Sequence, residues 1–238
     1  MTAKGTGGPA DALRAELAGR ADPVRAAQQR AYLHSDLHHL GLSVPDVRRC
    51  VTGTRKALGA LPAAQVTGLA RELWGPPPGA AGPVFEHRLA AVELLVQYVR
   101  ALRTEDLHQV EELLRECRTW ALIDPLAVHC AGAVALREEA AGAVLDRWVA
   151  DPDFWLRRSA LLALLPGIRA DRPDLARLTR YADALVEEKE FFLRKALGWT
   201  LRELSTRDPQ FVLGWVAEND ARIAPLTRRE ALRRIQAA

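Results

Sequence analysis

An aromatic residue returns along this chain at positions 85, 120, 155 and 192, so Phe85, Trp120, Trp155 and Phe192 stand 35, 35 and 37 residues apart. Phe192-Leu193-Arg194-Lys195 and Trp155-Leu156-Arg157-Arg158 align residue by residue, and each leads into a run of small apolar residues. Self-similarity at a period of about 35 to 47 residues with helical content is the pattern of stacked helix pairs, in which each unit buries its apolar face only against its neighbours. The expectation is an all-α chain, its helix pairs stacked into a curved solenoid whose inner helices line one concave surface.

Composition agrees with the period. Ala, Leu, Arg and Glu dominate, all strong helix formers, and no alternating run of β-branched residues is long enough for a sheet. With 238 residues, 49% of them hydrophobic, the chain can bury a sizeable core without staples. Cys50, Cys117 and Cys130 form no C-x-x-C pair and read as reduced core thiols. The N-terminus lacks an apolar signal core and no run of about 18 apolar residues occurs, so a cytoplasmic protein is expected. The net charge is only +3, but Arg157, Arg158, Arg194, Lys195, Arg228, Arg229, Arg233 and Arg234 crowd the second half, which favours a polyanionic partner.

In chain order, residues 1–9 read as a disordered tail and 10–238 as a single domain, with N-terminal helices over 10–75 and repeats over 83–238. The loop GPPPGAAGP at 75–83 separates the two parts. Asp22-Pro23 predicts a cap and first turn, with the helix running to about Leu40 before Gly41 stops it. Asp151-Pro152 and Asp208-Pro209 repeat that signal, and Thr227 to Glu230 reads as a capping box. Arg228 and Arg229 in that first turn oppose the helix dipole, which suits an anion such as a DNA phosphate.

Two side chains suggest chemistry. Trp120 and Asp124 are four apart and share a helix face. An aromatic face attracts a cationic alkylated purine, and a carboxylate can stabilise the sugar cation that forms when that base departs. The alternative is that Asp124 merely caps a helix starting at Pro125. His34 and His38 have a metal-compatible spacing but no third ligand, and His38-His39 could approach a phosphate. GTGGP at 5–9 lacks a phosphate-loop Lys, and no hydrolase or zinc-protease motif is present.

The segments YLHSDLHHLGLSVPDVRR, RELW, Trp120 to Asp124, DFWLRRSALLAL, EKEFFLRKALGWTLREL and APLTRREALRRI together resemble the AlkD-like DNA alkylation repair family of HEAT-like-repeat glycosylases. The likeness runs from about residue 25 to 236, and FFLRKALGWTLRE and PLTRREA are its most specific blocks. It implies a right-handed superhelical solenoid of HEAT-like antiparallel helix pairs with a concave DNA-binding face. The implied activity is release of N3- or N7-alkylated purines from double-stranded DNA, by a monomer with no cofactor, metal or membrane. By position, Asp124 matches the family's catalytic Asp, Trp120 and Trp199 its aromatic walls, Arg158 its backbone-contacting Arg, and Tyr32 a residue near the lesion. The family pattern W-W-D-x-x-D is here Thr119-Trp120-Ala121-Leu122-Ile123-Asp124. A non-catalytic scaffold for distorted or branched DNA and a protein-binding solenoid are the competing expectations.

Overall fold

The computed structural model describes residues 7–235, and among these it is helical, with one isolated β-bridge between His38 and Val84 and no strand. The tail expected at 1–9 lies outside the described residues as far as residue 6, and Pro9 already opens a helix. Contacts cluster into two compact units, Met1–Pro125 and Leu126–Ala238.

The first unit holds α1 (Pro9–Ala18), α2 (Pro23–Leu33), α3 (Val44–Leu58), α4 (Ala63–Trp74), α5 (Phe85–Gln97), α6 (Leu107–Glu116) and α7 (Trp120–Pro125). Its centre is α5, buried continuously from Phe85 to Leu95 and flanked by α3 and α4. A helix buried all round must satisfy its charged residues internally. Glu86, fully buried, accepts the backbone amides of Leu40 (2.8 Å), Gly41 (2.7 Å) and Leu42 (3.2 Å). Glu93 takes the Arg48 guanidinium through two 2.9 Å bonds. Arg88 donates to the carbonyls of Trp74 at 3.3 Å and Glu116 at 2.9 Å.

That clamp on residues 40–42 explains where α2 stops. The helix expected to reach about Leu40 ends at Leu33, because His34 turns left-handed (φ 47°) and the chain leaves helix to deliver its amides to Glu86. Gly41 is required there: its φ is +88°, and a Cβ would stand 2.1 Å from the Asp22 carbonyl oxygen. The start of α2 is as expected, with Asp22 accepting the amides of Val24 and Arg25 at 3.0 Å. No residue of α2 is buried.

The second unit begins with a π-helical segment, Leu126–Ala131. It continues through α8 (Gly132–Ala135), α9 (Ala141–Val149), α10 (Phe154–Leu162), α11 (Leu165–Arg169), α12 (Leu175–Leu185), α13 (Phe191–Leu204), α14 (Pro209–Glu218) and α15 (Pro225–Leu232). The central helix is α13, packed on α15 and α10 and touching α11, α12 and α14. Gly198 sets the α13–α15 approach, since a Cβ there would lie 2.6 Å from Glu230 Cβ.

Two expected caps are corrected here. Asp151 does not start a helix; it accepts the amide of Asp153, and Asp153 caps α10 by accepting the amide of Trp155 at 2.8 Å. The Thr227 box does not form, because α15 starts earlier, at Pro225. Thr227 is instead buried, its hydroxyl donating to the Arg194 carbonyl at 3.3 Å, and Glu230 pairs with Arg202 and Lys195. Tertiary partners on α13 outcompete the local box. Asp208 caps α14 as expected, accepting the amide of Phe211 at 2.9 Å.

Candidate functional site

All four recurring aromatics stand at helix starts: Phe85 opens α5, Trp120 opens α7, and Trp155 and Phe192 are second in α10 and α13. Trp120 and Asp124, both partly exposed, lie one turn apart on α7. Thr119, buried, accepts the Ala121 amide on its hydroxyl at 3.4 Å and the Leu122 and Ile123 amides on its carbonyl. The helix therefore begins at Trp120, with Thr119 ahead of it, and the expected helix start at Pro125, on which the cap reading of Asp124 rests, is corrected. Pro125 sits inside the helical run. It lacks an N–H and its ring crowds the preceding turn's carbonyl, and the π segment Leu126–Ala131 follows at once.

Tyr32, at the end of α2 and 73% exposed, sets its ring edge-on to Trp120, with centroids 6.2 Å apart at 81°. Arg118, two residues before Trp120, forms an ion pair with Asp36 just beyond α2. Tyr32, Trp120 and Asp124 are thus gathered in the first unit. The Asp36–Arg118 pair joins residues 82 apart and has no local signal in the sequence.

In the second unit the first turns of α10 and α13 meet through aromatic rings. Phe154 and Trp155 lie 4.4 Å apart, Trp155 and Phe192 5.1 Å, and Phe192 and Phe191 5.4 Å, with Phe191 54% exposed. The doublets Phe154-Trp155 and Phe191-Phe192 stand in the sequence, but the repeat period marks only Trp155 and Phe192.

The cations around these rings differ from their expected surface role. Arg158 is only 5% exposed; it donates to the Phe192 carbonyl and lies 5.9 Å from the Phe192 ring. Arg157 pairs with Glu188 at 3.1 Å and donates to the carbonyls of Asp151 and Pro152. Arg194 donates to the Glu188 carbonyl at 2.8 Å. Arg157 and Arg194 thus brace the loop before α13, and Arg158 its first turn. Lys195 is more open, 3.6 Å from Glu230 and 6.0 Å from the Phe191 ring. Trp199, partly exposed, faces Arg169 with 5.9 Å from guanidinium to ring. On α15, Arg228 pairs with Asp220, whereas Arg229 is exposed with no ion pair among the described residues.

His39 cannot reach a phosphate as expected: it is 6% exposed and stacked on Phe85 at 4.6 Å. Its burial, opposed only in part by Glu86, holds the imidazole below its usual pKa. His87, also buried, is pushed down to about 4 by desolvation, with Arg14 and His38 adding to the effect. Among the described residues no group of three or more His, Cys, Asp or Glu side chains is placed to hold a metal, and no helix is long and apolar enough to cross a membrane. The three cysteines are buried and none is in a disulfide.

A sequence profile of the family described as DNA alkylation repair enzyme matches residues 13–235. Among solved structures, a predicted DNA alkylation repair enzyme from Enterococcus faecalis superposes with a TM-score of 0.80 at 22% identity, covering 92% of this chain and 98% of its own. AlkD2 from Streptococcus mutans gives 0.57 at 18% identity, over 87% of this chain and 96% of its own. The protein smu.31 from Streptococcus mutans UA159 gives 0.56 at 18%, over 79% and 90%. At these identities the likeness shows the fold alone. No curated protein matches the chain.

Proposed function

The chain belongs to the DNA alkylation repair enzyme family, and from that premise we propose that it is a monofunctional glycosylase hydrolysing the N-glycosidic bond of cationic N3- or N7-alkylated purines in duplex DNA. The observation that supports this reading most is the Trp120–Asp124 pair, one helical turn apart and partly exposed, with the Tyr32 ring against Trp120. A purine alkylated at a ring nitrogen carries positive charge, and an aromatic face attracts it by about 0.5 to 2 kcal/mol.

The same charge makes the base a good leaving group. As the bond from C1′ to the base nitrogen breaks, its electron pair goes to the base, which departs neutral, and the sugar becomes an oxocarbenium ion. The Asp124 carboxylate stabilises that cation and orients a water, whose oxygen adds to C1′ and whose proton passes to the carboxylate or to solvent. The product is an abasic site. No step calls for a cofactor. In the second unit, Trp199 offers a further aromatic face, and Lys195, Arg228 and Arg229 hold DNA phosphates. Arg157 and Arg194 act by fixing the loop before α13 at Glu188, and Arg158 by holding the first turn of α13, which carries Phe191 and Phe192.

The test is single-turnover release of 7-methylguanine and 3-methyladenine from alkylated duplex DNA, by the wild type and by Asp124→Asn at matched DNA occupancy. A fall of about tenfold or more in the variant, with binding kept, is expected. If the wild type binds DNA yet releases neither these bases nor bulkier N3 or N7 adducts, the non-catalytic scaffold replaces this reading.

A further inference from the structure

At the end of the seam between α3 and α5 the charge balance changes. One turn after another along the seam is matched: Arg48 pairs with Glu93, and Thr52 meets Gln97 at 3.1 Å. Beyond them lies an open hollow of about 690 Å3 whose charged lining consists of Arg55, Lys56 and Arg100, with no carboxylate. Among the described residues none of the three has an acidic partner, in a chain where most arginines do. We propose that this hollow is a phosphate-binding site, distinct from the Trp120–Asp124 pair, that holds the backbone of the DNA on which the protein acts.

Two features on its wall argue for a prepared site rather than loose surface charge. The Arg55 guanidinium lies 5.5 Å from the Tyr98 ring, which fixes the long side chain before any anion arrives. Tyr98, 7% exposed, donates its hydroxyl to the Gly59 carbonyl at 2.6 Å, and so ties the left-handed Gly59 turn (φ 71°) to the end of α5. The helix dipoles do not account for the charge. The C-termini of α3 and α5 each present about half a negative charge, roughly one in all. Three cations against that leave an excess of about two, enough for two phosphodiesters.

A DNA strand and a free phosphate present the same chemistry, and the experiment separates them. The protein is titrated with an undamaged duplex of about 30 base pairs over a range of salt, as wild type, as Arg55→Gln/Lys56→Gln/Arg100→Gln, and as the charge-keeping Arg55→Lys/Arg100→Lys. Inorganic phosphate is titrated separately by calorimetry. The expected result is a salt slope shallower by about two in the neutral variant, at about 0.9 per phosphate, with the charge-keeping variant close to wild type. Binding of inorganic phosphate that the neutral variant loses, without a change in slope, assigns the site to free phosphate and overturns the DNA contact. An unchanged slope with no phosphate binding overturns the site altogether. Undamaged DNA requires no base release, so failure of the glycosylase reading leaves this test intact. A thermal melt of each variant identifies any loss that comes from unfolding.

Discussion

Replacing Glu86 by Gln tests the central physical claim about the first unit, that one buried carboxylate holds the chain between α2 and α3. One Glu86 oxygen accepts the Leu40 amide; the other accepts those of Gly41 and Leu42. Glutamine is nearly isosteric but keeps only one acceptor. Its amide nitrogen must face either the Leu40 amide or the Gly41 and Leu42 pair, leaving at least one donor without a partner at about 1 to 3 kcal/mol. The remaining bonds lose their charge assistance, which accounts for about 1 kcal/mol each. Because the Leu40 amide is only part-buried, the lower half of the range applies, giving a loss of about 3 kcal/mol. For a chain of this length that is roughly 6 to 12 °C in Tm. Urea unfolding measures the global loss, and amide hydrogen exchange at residues 40–42 reports the local one. A loss below about 1 kcal/mol, or unchanged protection of those three amides, would refute the clamp.

Other perturbations follow the same logic. His87 binds its proton near pH 4 in the folded chain against 6.5 for an ordinary histidine. Between those values the unfolded chain holds more proton than the folded one, so this contribution is intact above about pH 6.5 and falls by about 3 kcal/mol as pH drops to 4. Urea titrations of wild type and His87→Leu at pH 7 and 4 check it; equal acid-side losses in the two proteins count against it. Gly198→Ala would bring a Cβ to 2.6 Å from Glu230 Cβ and 3.0 Å from the Thr227 carbonyl oxygen. The resulting strain of about 1 to 3 kcal/mol outweighs the helix-propensity gain of roughly 1, and chemical denaturation is expected to show a net loss.

What the sequence disclosed was local or periodic. The recurring aromatics located the helix starts, and Asp22 and Asp208 were legible as caps because their acceptor oxygens and the amides they serve lie within three residues. What it hid was long-range. Nothing near Glu86 announces that its partners stand 44 to 46 positions earlier, so the local pattern extends α2 to about Leu40 where the helix ends at Leu33. Thr227 and Glu230 have the spacing of a capping box, but the Arg194 carbonyl and the Arg202 guanidinium claim them first. Arg158 carries the charge of a phosphate ligand, yet its repeat position turns it inward, where it serves the Phe192 carbonyl.

The Trp120–Asp124 pair shows how local preference and packing can disagree at a site. A residue before proline disfavours the helical region, and a proline inside a helix costs about 3 kcal/mol. On those terms α7 should break at Asp124. It does not, because Thr119 caps the first turn and Leu122 and Ile123, both fully buried, hold the backbone helical up to the proline. The mismatch is passed on to Leu126–Ala131, where the ladder widens to the π form. Asp124 therefore stands inside a helix that begins at Trp120, one turn from that ring and partly exposed.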